Sequence, residues 1–274
     1  MKEYVLFTDL DGTLVDADTY SYEKALPAIK LLKERGVPIV FCTSKTRAEI
    51  EVYRKKLGIQ DPFIPENGGA IFIPHGYFDF EYDYTRKVDG YNIIEFGSEY
   101  QKLRDALDEI RSKIRCDIIG FGDMTAEEVS KSSDLDIESA KLSKMREYDE
   151  AFELKGEDAC IDLILEEITR LGFNYTIGGR YYHIMGDNDK GKATKQLTDL
   201  FSRKKDVETI GLGDSLNDLP MLREVDISYL VAKPGGSYDP MVSFNGLKKA
   251  RGIGPEGWNK VILELMGRIE VKVV

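Results

Sequence analysis

Histidine, cysteine and net positive charge are all scarce in this 274-residue chain. Its two histidines, His75 and His183, are too far apart in sequence for a histidine-rich metal centre. Its three cysteines, Cys42, Cys116 and Cys160, form no Cys-x-x-Cys pair, so neither a disulfide framework nor a zinc site is expected. Any metal would then be held by oxygen, which points to Mg2+. No apolar run approaches the roughly 18 residues of a membrane span, and the N-terminus has no signal-peptide apolar region. A cytoplasmic location without a membrane partner is therefore expected. With 38 Lys and Arg against 49 Asp and Glu, the net charge of −11 disfavours a nucleic-acid partner. An anionic substrate would need a local cationic pocket or a metal. The sequence contains no internal repeat and does not specify an oligomeric state.

What is present is an alternation of strand and helix patterns. Tyr4-Val5-Leu6-Phe7 is a β-branched and aromatic run of the buried-strand type. Ser21 to Arg35 carries Leu26, Ile29 and Leu32 on one helical face and stops at Gly36. Val37 to Cys42 reads as the next buried strand, and Thr46-Arg47-Ala48-Glu49 has the spacing of a capping box opening a helix that Gly58 closes. Pro65-Glu66-Asn67-Gly68-Gly69 forms a turn between Phe63-Ile64 and Ala70 to Ile73. The alternation returns with a helix over Lys192 to Phe201, a strand over Val207 to Leu212, a helix through Leu222 and a strand over Ile227 to Val231. This order predicts an α/β fold: a Rossmann-like parallel sheet core with helices on both faces, built from 1–83 and 187–274. Residues 84–186 differ in texture. Amphipathic helices over Ser98 to Ile114 and Glu157 to Leu171 alternate with more polar strands over Tyr148 to Leu154 and Tyr175 to Met185. Gly178-Gly179 turns the last of these into a hairpin. This segment is expected to be an inserted α+β cap domain.

Ligands of such sheets sit outside the carboxyl ends of the strands. Phe7-Thr8-Asp9-Leu10-Asp11-Gly12-Thr13 leaves the first strand there, with Asp9 and Asp11 on one face and Gly12 permitting a turn. Two carboxylates on one spot repel unless a cation neutralises them. Thr43, Lys190 and the Asp214/Asp218 pair fall at comparable positions. Together they suit phosphoryl transfer. Asp9 would attack phosphorus and form an aspartyl-phosphate. The carboxylates of Asp9 and Asp214 and the Asp11 carbonyl would hold Mg2+. Thr43 would hold a phosphate oxygen and Lys190 would add positive charge. Asp11 would protonate the leaving oxygen and then activate water. Asn217 and Asp218 would orient the metal's waters and Lys190 from behind.

The chain resembles the haloacid dehalogenase superfamily of phosphatases along nearly its whole length. Asp9-Leu10-Asp11-Gly12-Thr13 matches the first family motif, Thr43 the second, Lys190 in Asp189-Lys190-Gly191 the third, and Gly213-Asp214-Ser215-Leu216-Asn217-Asp218 the fourth. The insert between the second and third motifs is where this superfamily places a substrate-selecting cap, a lid that excludes water. Four further segments resemble the subfamily that releases mannosylglycerate from mannosyl-3-phosphoglycerate. They are Thr43 to Glu49, Glu66 to Ile71, Gly178 to His183 and Gly254 to Asn259. The resemblance implies a small anionic sugar-phosphate substrate. Arg180 would take its carboxylate, and Ser44, Lys45, Asn67, Gly68 and His183 would complete the pocket. Another sugar phosphatase or a phosphomannomutase on the same scaffold is the alternative. A non-enzymatic sugar-phosphate binder would be expected to have lost one of the chemical residues.

Neighbouring signals have plainer explanations. Gly186-Asp187-Asn188-Asp189-Lys190-Gly191-Lys192-Ala193 nearly spells a nucleotide phosphate loop, but Ala193 replaces the metal-binding hydroxyl and the aspartates repel phosphate. Lys192 is then a solvated helix residue. Cys42 is expected in the core, Trp258 as an anchor of the C-terminal helix, and Asp134 to Glu138 as a solvated helix start.

Overall fold

The structure, a computed structural model, describes residues 3–114, 116–155, 160–178 and 180–270. Two details expected from sequence, the Glu157 start of a helix and Gly179 in the hairpin turn, lie outside the described residues. The chain begins with β1 (Glu3–Thr8), α1 (Leu26–Glu34), β2 (Ile39–Cys42), α2 (Arg47–Leu57), β3 (Phe63–Ile64), β4 (Ala70–Pro74), β5 (Arg86–Val88) and β6 (Tyr91–Glu95). It continues through α3 (Tyr100–Lys113), β7 (Ile118–Gly120), α4 (Ala126–Ser133), α5 (Ile137–Ser143), β8 (Asp149–Leu154), α6 (Ile161–Arg170), β9 (Asn174–Gly178) and β10 (Tyr181–Met185). It closes with α7 (Lys190–Phe201), β11 (Val207–Gly213), α8 (Leu219–Glu224), β12 (Ile227–Ala232), β13 (Lys248–Ile253) and α9 (Gly254–Glu270).

The strands form one sheet in the order β13-β12-β11-β1-β2-β3-β4-β6-β5, parallel from β13 to β3 and antiparallel beyond. The period-2 alternation of β1 and β2 sorts their apolar residues between two cores. Leu6, Ile39 and Phe41 pack with Ile29 and Leu32 of α1, Ile50 of α2 and Trp258 and Ile262 of α9. Val5, Phe7, Val40 and Cys42 pack on the other face, with Ala193 and Leu197 of α7 and Met221 and Leu222 of α8. Helices on both faces were expected. Not expected was the antiparallel edge: residues 86–95, placed in the cap from sequence, pair with β4, so the boundary at 84 cuts through the sheet. Their pattern is half-exposed and weakly periodic, as an edge pair requires.

A second sheet, β7-β8-β10-β9, carries α3 and α6 on one face over Leu103, Leu107, Ile110, Phe152, Ile164 and Ile184. Alternation in β10 turns Ile184 toward those helices, and Tyr181 and His183 toward the large sheet's carboxyl edge. One expectation is corrected here. Cys116, after α3, and Cys160, at the start of α6, form a disulfide with 6.7 Å between Cα atoms. A separation of 44 residues gives no local sign of this pairing. Cys42 is free and buried, and burial raises its thiol to about 12, as befits an inert core residue.

Core and cap touch through specific polar contacts. The Glu66 carboxylate accepts the backbone N–H groups of Glu147, Tyr148 and Asp149 at 3.0, 2.7 and 2.9 Å. Tyr20 donates its hydroxyl to Ser133 O at 3.0 Å, Thr46 to Leu142 O at 2.9 Å, and Arg146 Nη2 to Ser44 O at 3.0 Å. The Thr46–Glu49 capping box expected from sequence is formed.

Candidate active site

The parallel strands β1 and β11 end side by side, which brings Asp9 and Asp11 next to the Gly213–Asp218 loop. Gly12 takes φ +73°, and a Cβ there would lie 2.9 Å from Asp214 Oδ2, so glycine permits the two acidic loops to meet. Asp189 caps α7 by accepting the Lys192 N–H, which sets Lys190 at the first helical position and buries it. Lys190 Nζ donates to Asp9 Oδ1 at 2.7 Å and to Asp218 Oδ1 at 2.6 Å. Lys192 is half-exposed and paired with Asp187, which settles which lysine enters the site.

Asp9, Asp214 and Asp218 each offer an oxygen within 4.8 Å of the others, all buried. One ammonium does not offset three clustered carboxylates. Burial raises Asp9 well above the usual carboxylate range despite Lys190, with Asp218 and Asp214 pushing the same way. Burial and the Asp218 charge bring Asp214 up to about 7. The donor set is all hard oxygen, as Mg2+ requires, and its surplus negative charge calls for a cation. Within the set, Asp218 is already committed. Its Oδ2 accepts the N–H groups of Asp214 and Ser215 at 2.9 and 3.0 Å, and Oδ1 holds Lys190. Asp214 accepts the hydroxyls of Thr13 at 3.2 Å and Ser215 at 2.9 Å.

A cavity of about 330 Å3 opens from this cluster between core and cap. Asp11 lines it, with Oδ2 paired to Lys45 Nζ at 2.8 Å and Oδ1 buried without a partner. Lys45 also pairs with Glu49 at 3.3 Å, and these two carboxylates hold its ammonium charged against burial. Thr43 is buried behind the wall, its hydroxyl oxygen accepting the Lys45 N–H at 3.3 Å. Ser44 lines the cavity. From the cap come Arg180, Tyr181, His183 and Arg146. Arg180 is half-exposed and donates to Ser133 O at 3.1 Å and Asp134 Oδ2 at 2.7 Å.

Two residues expected against substrate stand elsewhere. Asn67 Nδ2 donates to Asp149 Oδ2 at 2.8 Å and its Oδ1 accepts Asn217 Nδ2 at 3.0 Å, which ties the cap to the acidic loop. Gly68 has φ +85°, and a Cβ on it would lie 2.0 Å from Asp189 O. It packs the 65–69 turn against the start of α7. Sequence reasoning missed Arg146, Asp149, Tyr20 and Lys233 in and around the cavity. Lys233 follows a buried strand and could have been flagged. Arg146 and Asp149 lie in a charged stretch of the cap with no distinguishing pattern. Trp258, as expected, is core, with Nε1 donating to Thr8 Oγ1 at 2.9 Å.

Residues 6–234 match the haloacid dehalogenase-like hydrolases, and the chain belongs to that family. It is 55% identical over 267 residues to the glucosyl-3-phosphoglycerate/mannosyl-3-phosphoglycerate phosphatase of Methanococcoides burtonii, covering 97% of this chain and 98% of that protein. It is 42% identical over 228 residues to the mannosyl-3-phosphoglycerate phosphatase of Pyrococcus furiosus, covering 83% of this chain and 90% of the relative. The fold is also that of the sucrose-phosphatase from Synechocystis sp. PCC6803, with a TM-score of 0.63 at 16% identity over 96% of this chain and 98% of the other.

Proposed function

We propose that this hydrolase is a cytoplasmic, Mg2+-dependent phosphatase that releases mannosylglycerate or glucosylglycerate from the corresponding 3-phosphoglycerate ester. The observation that carries the chemistry is the buried Lys190 ammonium bonded to both Asp9 and Asp218 beside Asp214. The 55% identity to a dual glucosyl/mannosyl relative supports the substrate. It broadens the mannosyl preference expected from sequence.

Asp9, Asp214 and the Asp11 backbone carbonyl are the residues that would hold Mg2+. The ion, when bound, neutralises Asp9 and the phosphoryl oxygens. An Asp9 carboxylate oxygen forms a bond to phosphorus as the bond to the glycerate oxygen breaks. In its protonated form Asp11 gives that proton to the leaving oxygen, and the carboxylate this leaves takes one from the water that cleaves the Asp9–phosphorus link. Lys190 steadies the phosphoryl group, and Thr43, behind the wall, holds the Ser44–Lys45 turn by accepting the Lys45 N–H. Asp218, saturated by hydrogen bonds, and Asn217 orient Lys190 and the loop rather than touching substrate. The four-stranded unit acts as the substrate-selecting cap: Arg180 and His183, with Ser44 and Lys45, contact the glycosyl-glycerate, while Asn67 and Gly68 support the wall from behind.

The test is phosphate release from a panel with Mg2+ and then with chelator. The panel holds mannosyl- and glucosyl-3-phosphoglycerate, mannose phosphates and 3-phosphoglycerate. Strong Mg2+-dependent preference for the two glycosyl esters is expected. Preference for a mannose phosphate would replace the substrate reading, and isomer formation without phosphate release would make the protein a mutase.

A further inference from the structure

Asp149 is a fully buried carboxylate of the cap that the scheme above leaves unused. Its Oδ1 takes the Arg146 guanidinium; its Oδ2 accepts from Asn67 Nδ2 at 2.8 Å and lies 2.9 Å from His183 Nδ1. Burial opposes the charge, yet Arg146 and His183 hold its pKa down to about 2. An ionised carboxylate only accepts hydrogen bonds, so Nδ1 of His183 carries the proton. In the neutral ring that leaves a lone pair on Nε2, at the opposite edge.

His183 lines the cavity, and among the described residues Nε2 has no hydrogen-bond partner. The main chain passes close to it at Gly178, where a Cβ would lie 3.3 Å from Nε2 and 3.4 Å from Asn217 Nδ2. Arg180 and Lys45 are donors suited to anionic oxygens. Of the acceptors that line the same cavity, Glu49 is taken up by Lys45 and Thr46, the Tyr20 and Tyr181 hydroxyls bond Ser133 O and Ser132, and Asp18 is exposed. A sugar hydroxyl also needs an acceptor, and a carboxylate there would repel the phosphate. A neutral imidazole nitrogen accepts without adding negative charge.

We infer that Asp149 is a positioning residue that fixes His183 in the Nδ1-protonated tautomer, presenting Nε2 to the cavity as the acceptor for a hydroxyl of the leaving group. This rests on the reading of the leaving group as a glycosylated glycerate. Asp149 also holds Asn67, and through it Asn217, so one cap carboxylate sets both the hydroxyl acceptor and the acidic loop.

With only two histidines in the chain, imidazole 15N spectra of histidine-labelled protein resolve His183 directly. The expected wild-type spectrum at pH 8 is the Nδ1–H form, and Asp149→Asn, able to donate from its amide, shifts it to Nε2–H. The kinetic readout is the ratio of kcat/KM for mannosyl-3-phosphoglycerate to that for p-nitrophenyl phosphate. Loss of one hydrogen bond predicts that this ratio falls about tenfold in Asp149→Asn and His183→Ala. His183→Gln, which returns an acceptor oxygen, recovers part of it. An Nε2–H form in the wild type, or an unchanged ratio in His183→Ala, overturns the inference even if Asp149→Asn does not fold. A wild type that cleaves p-nitrophenyl phosphate but not the glycosyl esters defeats the substrate reading instead, while the spectrum still reports on Asp149.

Discussion

The Lys190 ammonium lies 2.7 Å from Asp9 Oδ1, joining the first turn of α7 to the end of β1 across 181 positions of sequence. Both groups are buried, and Asp218 shares the same ammonium. Lys190→Met would leave Asp9 and Asp218 uncompensated, which costs about 3–5 kcal/mol when one partner of a buried pair is removed. The expected result is loss of phosphate release together with a lower urea midpoint. An unchanged midpoint would mean that the pair does not exist as described.

Asp9→Asn removes the nucleophile but also relieves repulsion among the three clustered carboxylates. Turnover should fall by at least about 10³-fold. The melting temperature measured in chelator should hold or rise. Near-normal turnover would refute an aspartyl-phosphate on Asp9.

Without metal, stability should fall as pH rises from 5 to 8. Burial lifts Asp214 to about 7 and raises Asp9 well above its ordinary value. The folded protein then keeps protons that the unfolded chain has lost above about pH 4. That contribution is complete below the unfolded pKa and disappears as pH passes the folded one. Glu66, lifted by burial to about 8, adds to the same slope with or without metal. The metal-linked part is therefore the gap in melting temperature between Mg2+-loaded and chelated protein, and it should widen from pH 5 to pH 8. A constant gap would argue against Asp9 and Asp214 as ligands.

Gly68→Ala separates a packing role from a binding one. Its φ of +85° and the 2.0 Å approach of a Cβ to Asp189 O both oppose a side chain. The left-handed conformation and the overpacking together predict a loss of about 2–4 kcal/mol. The displaced start of α7 should carry Lys190 with it, so kcat falls at every substrate. A rise in KM alone, at full stability, would return Gly68 to the substrate pocket.

Reduction of the Cys116–Cys160 bond, or Cys160→Ser, frees a loop of 44 residues in the cap. Such a closure stabilises by about 2–4 kcal/mol. Melting should begin earlier under reductant, with the shift absent in the serine variant. Equal reductant sensitivity of both proteins would point elsewhere.

The sequence by itself determined the chemistry and most of the scaffold. Tyr4 to Phe7 and Val207 to Leu212 declare buried parallel strands because side chains alternate between two covered faces, and their carboxyl ends are where Asp9 and Asp214 fall. Thr46-x-x-Glu49 and Gly58 mark a helix because capping is local. These signals depend only on neighbours in the chain, so they can be read without a fold. The antiparallel edge at 86–95 escaped because half-exposed edge strands have little periodicity. The Cys116–Cys160 bond escaped because proximity across 44 residues is a property of packing. The sequence places Asn67 and Gly68 against substrate, but only tertiary contact decides what they touch: Asn67 meets Asp149 and Asn217, and Gly68 meets the start of α7. Arg146 and Asp149 carry no local mark at all. Their importance comes from burial and from partners on other elements, and those exist only once the cap has closed on the sheet.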